Sequence, residues 1–360
     1  RLRSDVPVGL LLSGGIDSSS IVGVAKEIGL LDNLSVLSVV SDDIQSNEEP
    51  FIDLMANYVK CPVLKFKADQ SPLKLFDELS DACWFNDEPV ISFTSIAHRN
   101  VMNMAHKHNI TVLLTGQGAD EQLGGYNKFL YFYLLDCYHR GRWMEIAHML
   151  LGCFSERTIL NEFRLREAKR YLPHFFRKHG INYLGKSIRP YELLDTNLGE
   201  SYQCREWRDI SSLSIPMLLH YEDRMSMSYS REMRIPFMDY RLVEMLGKVK
   251  PNKKLEKGWT KAIFRQAMKG ILPKEIQYRK DKKGFNLPLD KWMKGPLKKS
   301  IFSVFDNLML AEESGFFKRA QVQEIYQRYL KGDSMVNYKE IFNILCFEFW
   351  LRRFEAYLEL

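Results

Sequence analysis

Apolar positions in the first 116 residues follow two alternating patterns. Short, mostly apolar runs, "VGLLLS" (8–13), "LSVLSVV" (34–40), "PVLKFKA" (62–68) and "ITVLLTG" (110–116), predict buried strands. Between them lie amphipathic stretches with helical spacing: "SSSIVGVAKEIG" (18–29), ending at Gly29, "EEPFIDLMANYVK" (48–60), "PLKLFDELSDACWF" (72–85) and "SIAHRNVMNMAHKH" (95–108). Strands alternating with helices predict an α/β fold, a parallel sheet with helices on both faces. In such folds ligands sit at the carboxyl ends of the strands, where the glycine-rich stretches at Ser13 and Thr115 fall.

From about Tyr131 the pattern becomes helical, as in "YFYLLDCYHRGRWMEIAHMLLGCF" (131–154) and "YKEIFNILCFEFWLRRFEAYLEL" (338–360). Aromatics three and four apart there read as core. The expected organisation is a nucleotide-binding α/β core over 1–130 and a mostly helical part over 131–360 packed directly on it, with no flexible linker between.

Composition adds limits. The chain has 360 residues, 46% hydrophobic and 27% charged, as in a soluble globular protein. No run approaches the roughly 18 apolar residues of a membrane span, and no secretory leader pattern opens the chain. Cys61, Cys83, Cys137, Cys153, Cys204 and Cys346 show no metal-site or disulfide spacing, and a cytoplasmic setting is expected. The net charge of +6 is spread among 45 acidic residues, so a polyanionic small molecule suits it as well as nucleic acid, and no nucleic-acid or membrane partner is expected.

The chemistry begins at "VGLLLSGGIDSSS" (8–20). Gly14 and Gly15 let the backbone turn sharply and come close to a ligand. The next helix start offers free N–H groups and the positive end of its dipole, while Ser13, Ser18 and Ser19 supply hydroxyls that follow phosphate oxygens. Asp17 would repel phosphate unless Mg²⁺ stands between them. The Walker lysine and the dinucleotide G-x-G-x-x-G are both missing. A plain strand-to-helix turn with an Asp and Ser cap is the bland alternative. The stretch reads as a pyrophosphate loop.

S-G-G-x-D-S after a buried strand resembles the PP-loop ATP pyrophosphatases. "LLTGQGADEQLGGY" (113–126), "LLHYEDRMSMSYSREMRIPFMDYRLVE" (218–244) and "RKDKKGFNLPLDKW" (279–292) narrow this to the synthetase domain of the asparagine synthetase family, in matching order and spacing. The resemblance covers nearly the whole chain. It implies that ATP adenylates a small-molecule carboxylate, usually the aspartate side chain, that pyrophosphate leaves, and that ammonia attacks to give asparagine and AMP. It implies a glutaminase domain, with cysteine first, as the ammonia source. The chain opens on "RLRSDVPVG", so it is expected to be the synthetase portion, without glutamine hydrolysis of its own. A homodimer stays open.

By resemblance, Ser13, Gly14, Gly15, Ser18 and Ser19 hold pyrophosphate, and Asp17 and Asp120 hold Mg²⁺. Leu11, Ser38, Thr115 and Gly116 cradle adenosine. Lys282, counted back from Gly284-Phe285, is the choice for the lysine at the phosphates, with Lys280 and Lys283 as substitutes. Glu121, Arg224, Glu232, Arg234 and Asp239 are weaker substrate-side candidates, and Asp87 and Glu88 weaker still. Gln117 stands where asparagine synthetases commonly carry glutamate, and a neutral amide can neither pair with an ammonium nor accept its proton. That leaves aspartate and other carboxylates, such as a sugar acid or a peptide or lactam ring closure, as alternatives.

Overall fold

The computed structural model describes residues 1–41, 43, 47–67, 71–90, 92–156, 158, 201–280, 287–308, 312–313 and 315–357. The four expected strands form as β1 (Val8–Leu11), β2 (Ser35–Val40), β3 (Val63–Lys67) and β4 (Val112–Leu114), all parallel. A fifth, β5 (Glu232–Arg234), pairs in parallel with β4, giving the order β3-β2-β1-β4-β5. So the part of the chain beyond residue 130 completes the sheet. The three residues of β5, Glu-Met-Arg, are charged at both ends and partly exposed, so unlike the equally short but apolar β4 they leave no strand pattern to read from sequence.

Helices α1 (Ile16–Glu27) and α2 (Glu49–Val59) follow β1 and β2, and α3 (Phe93–Lys107) precedes β4. Period-two alternation sends neighbouring side chains to opposite faces. Val36, Val112 and Leu114 join the core shared with Val22, Ile52 and Met55, while Leu37 and Leu113 pack on Val101, Met102 and Ala105 of α3. The segment 72–85, expected as one helix, falls in two, Pro72–Asp77 and Leu79–Asn86.

The strand order reverses between β1 and β4, so the chain leaves their carboxyl ends in opposite directions and opens a crevice there. Behind β4 come α4 (Ala119–Leu123), then α5 (Ser214–Met227), α6 (Ala262–Ala267) and the closing helix α7 (Tyr338–Phe354). The largest apolar cluster joins α3 and α7 through Phe93, Ile341, Phe342 and Leu345. Among the described residues, no helix is long and apolar enough to cross a membrane.

Candidate active site

A cleft of about 450 Å³ occupies this crevice. That is the size of a small-molecule site. Leu11, Ser13, Gly15, Asp17, Ser18, Ser38, Thr115, Gly116, Gln117 and Asp120 line it, so one cleft collects most of the expected site.

The first loop is built for close approach. Gly14 has φ +74°, and a Cβ there would stand 2.9 Å from that of Phe51. The Ser13 N–H donates to Ser18 Oγ at 3.0 Å, and the two hydroxyls are 2.9 Å apart, folding the loop back on the helix start. Gly15 caps α1 with no side-chain cap bond, leaving first-turn N–H groups for a ligand. Ser19 is wholly buried behind the loop, and its Oγ has no hydrogen-bond partner among the described residues. The second loop closes on the first: a Cβ on Gly116 would meet Ser18 N at 2.9 Å and Asp17 Cβ at 3.0 Å.

Between the loops stands a residue the sequence reading passed over. Lys261 Nζ lies 2.5 Å from Asp17 Oδ2 and 2.6 Å from Asp120 Oδ1. Its side chain is buried, which disfavours its charge, but Asp120 and Asp17 more than compensate and its pKa is raised. Lys261 also has φ +54°, in the left-handed region, at the start of α6. Such strain is held in place by the packing around it.

Two oxygens of the two aspartates therefore converge on one point at the cleft wall. Paired carboxylates beside phosphate oxygens are the donor set Mg²⁺ takes, so these residues fit the ion. Arg279 anchors the first loop from the far side: Nη1 donates to the Gly14 carbonyl at 3.2 Å, pairs with Glu48 at 2.9 Å, and the guanidinium lies 4.0 Å from the Phe51 ring centroid. Lys280 lines the cleft and donates to the Glu156 carbonyl at 2.6 Å. Lys282 and Lys283 lie outside the described residues.

The other candidates fall elsewhere. Glu121 is buried in α4 and accepts from Tyr126 OH at 2.9 Å. Next to it Gln122 donates to the Gly118 carbonyl at 3.2 Å and to that of Phe237, tying the second loop to the chain after β5. Arg224 pairs with Asp87, Glu88 with His220, and Glu232 with Arg234 on edge strand β5. Asp239 caps the helix that begins at Tyr240 and pairs with Arg241. None of these lines the cleft.

Two further cleft residues carry chemistry. Burial lowers the pKa of His98 to about 4, so it is neutral at pH 7. Glu222, from α5, has its pKa pushed up to about 7 by burial, with Thr115 opposing the shift only in part. Sequence gave little sign of either: His98 sits on an amphipathic helix, and Glu222 is one of several charges in "YEDR".

The parallel sheet, switch-point cleft and serine-glycine loop define a PP-loop α/β protein. The chain belongs to the asparagine synthase family, whose profile matches residues 1–352. Asparagine synthetase [glutamine-hydrolyzing] 1 of Bacillus subtilis (strain 168) is 27% identical over 372 residues, covering 97% of this chain and 56% of its own length. The putative asparagine synthetase [glutamine-hydrolyzing] 2 of Methanocaldococcus jannaschii is 38% identical over 234 residues, 56% of this chain and 44% of its own. Amidase chry2 of Gibberella zeae is 25% identical over 352 residues, 84% of this chain and 52% of its own. The chain thus spans about half the length of these relatives. At family level the chemistry is that of an ATP-dependent, amide-forming ligase.

Proposed function

We propose that the chain is the synthetase portion of an AMP-forming carbon–nitrogen ligase. It adenylates a carboxylate, the aspartate side chain first among them, releases pyrophosphate and delivers the acyl group to ammonia. The observation that carries this reading is the junction of Lys261 with Asp17 and Asp120 beside the first loop. Positive charge fixed where a leaving pyrophosphate gathers its negative charge lowers the barrier without reorganisation during the step.

The first-turn N–H groups of α1 and the Ser13 and Ser18 hydroxyls would hold the β- and γ-phosphates. Leu11, Ser38, Thr115 and Gly116 would enclose adenosine. Mg²⁺, held by Asp17 and Asp120, would supply charge neutralisation at the phosphates. Lys282 is the proposed second cation there, a reading supported by Lys280, two residues earlier, lining the cleft. Since Lys261 and β5 come from beyond residue 130, we read the two parts as one synthetase domain. The relatives' length and glutamine-hydrolyzing names support a glutaminase domain as the ammonia source, in the same protein or on a partner.

A second reading changes only the carboxylate. Gln117 in the cleft favours it, and two fungal relatives, chry2 and chyE, bear the name amidase. Carboxylate-dependent exchange of labelled pyrophosphate into ATP tests both, with aspartate, glutamate, a sugar acid and a peptide carboxylate as the panel. Exchange with aspartate alone supports the first reading, exchange with another member the second. Silence across the panel overturns adenylation itself.

A further inference from the structure

Among the described residues, four acidic side chains line the cleft: Asp17, Glu48, Asp120 and Glu222. Three are bound to cations. Asp17 and Asp120 share Lys261, and Glu48 pairs with Arg279. Glu222 forms no ion pair among the described residues, and its Oε2 is sealed from solvent with no hydrogen-bond partner there. A buried carboxylate oxygen left without a donor is costly and needs an explanation. A bound group that brings a proton is the simplest one.

The family reaction needs such a group. When ammonia attacks an acyl-adenylate, the nitrogen lone pair forms the C–N bond, the acyl C–O bond to the phosphate breaks, and AMP leaves with that electron pair. The nitrogen must then shed a proton. The carboxylates on Lys261 and Arg279 already hold cations at 2.5–2.9 Å, and taking up a proton would break those pairs. Gln117 is an amide and cannot accept a proton at neutral pH. His98 shares the cleft, but its burial makes it a weak base.

Resting on the adenylation reading, we propose that Glu222 is a catalytic residue that takes the proton from the attacking nitrogen. The carboxylate becomes a carboxylic acid as the amide forms, and returns the proton to water after AMP leaves. Its site suits the task, because burial raises its proton affinity toward working pH, where a general base is most effective. No charged neighbour contributes appreciably to that shift, which comes from burial and, in opposition, Thr115. His98 of α3, which shares the cleft, is kept uncharged by burial, and several charged groups on the elements packed against α5 are engaged elsewhere. Arg99 of α3 lies over the Phe85 and Tyr229 rings, and Asp87 and Glu88 pair with Arg224 and His220. In the helix Tyr202–Ser211, Arg205 pairs with Asp209 and Glu206 with Lys254, while on β5 Glu232 pairs with Arg234.

The test separates the two half-reactions in the 360-residue chain, using whichever panel carboxylate drives pyrophosphate exchange best and ammonium chloride as nitrogen source. Glu222→Gln should keep exchange within about threefold of wild type while amide formation falls about 100-fold or more. The wild-type rise in amide formation near pH 7 should flatten in the variant. Hydroxylamine, which loses its proton more readily than ammonia, should recover much of the lost rate. Exchange and amide formation falling together would overturn the assignment, placing Glu222 in nucleotide binding or in the fold; so would an unchanged amide rate. A wild type silent in exchange with every carboxylate would instead remove the adenylation reading, and this assignment with it.

Discussion

Lys261 Nζ stands 2.5 Å from Asp17 Oδ2, joining residues 244 positions apart beside the serine-glycine loop after β1. The lysine holds in place a pair of acidic side chains, Asp17 and Asp120, that would otherwise repel each other at the cleft wall. Replacing it by methionine keeps the volume and removes the charge. Lys261→Met should cost about 3 kcal/mol of stability, the usual penalty for unpairing buried charge. Added Mg²⁺ should restore more of that loss in the variant than it adds to wild type, and pyrophosphate exchange should fall about 100-fold. Thermal melts with and without Mg²⁺ check the first point. An equal response to the ion in both proteins would contradict it.

The same pair fixes a pH dependence. Because the folded pKa of Lys261 is raised, its contribution is complete below the ordinary lysine value of about 10.4 and is lost only as pH rises through the folded value. Wild-type stability from this pair should therefore hold across the neutral range and fall only in alkali. Lys261→Met should lack that alkaline loss in urea melts taken from pH 7 to 11.

Glu222 works in the opposite sense. Its folded pKa of about 7 lies above the unfolded carboxyl value, so the folded protein binds the extra proton between these two values. Stability then falls as pH rises from about 4.5 to 7, by about 3 kcal/mol at most. Glu222→Gln removes the burden of burying a charge. It should match wild type near pH 4 and be more stable at pH 8, and denaturation at those two pH values decides it.

Gly116 tests the contact between the two loops. Its neighbours, Ser18 N and Asp17 Cβ, belong to the start of α1 and cannot swing aside. Gly116→Ala should keep the fold but weaken ATP binding at least tenfold, read by calorimetry. Unchanged affinity would mean the loops separate easily.

Arg279 tests the anchoring of the first loop. Arg279→Lys keeps the charge near Glu48 but loses the planar stacking on Phe51 and the reach to the Gly14 carbonyl. The KM for ATP should rise about tenfold, by roughly 1.4 kcal/mol, with little change in kcat. A fall in kcat at constant KM would place Arg279 at the reacting atoms instead.

The site was legible in sequence where its geometry is local. S-G-G-x-D-S and G-Q-G-A-D-E each sit on one strand-to-helix turn, so spacing alone sets which atoms face the crevice. Lys261 was not, because "GWTK" carries no phosphate pattern and meets Asp17 only through the packing of the later helices on the sheet. The lysine-rich stretch at 280–283 is the more conspicuous source of a cation, next to Arg279, whose own part as anchor of Gly14 is likewise tertiary. Glu222 was hidden by its neighbours: among the four charges and aromatics of "YEDR", only burial distinguishes the residue facing the cleft from Arg224, which turns out to Asp87. Strands β1 to β4 were readable from apolar runs, β4 at three residues included, whereas β5, also three residues but reading Glu-Met-Arg, carries charge at both ends and shows no such run.

In the proposed reaction ATP is cut between its α- and β-phosphates to activate a carboxylate. This is tested most directly by incubating the chain with MgATP, ammonium and the carboxylate panel and resolving the nucleotide products. AMP and pyrophosphate, formed in equal amounts and only with a carboxylate present, are the predicted result. ADP and phosphate, or AMP formed equally well without any carboxylate, would contradict it.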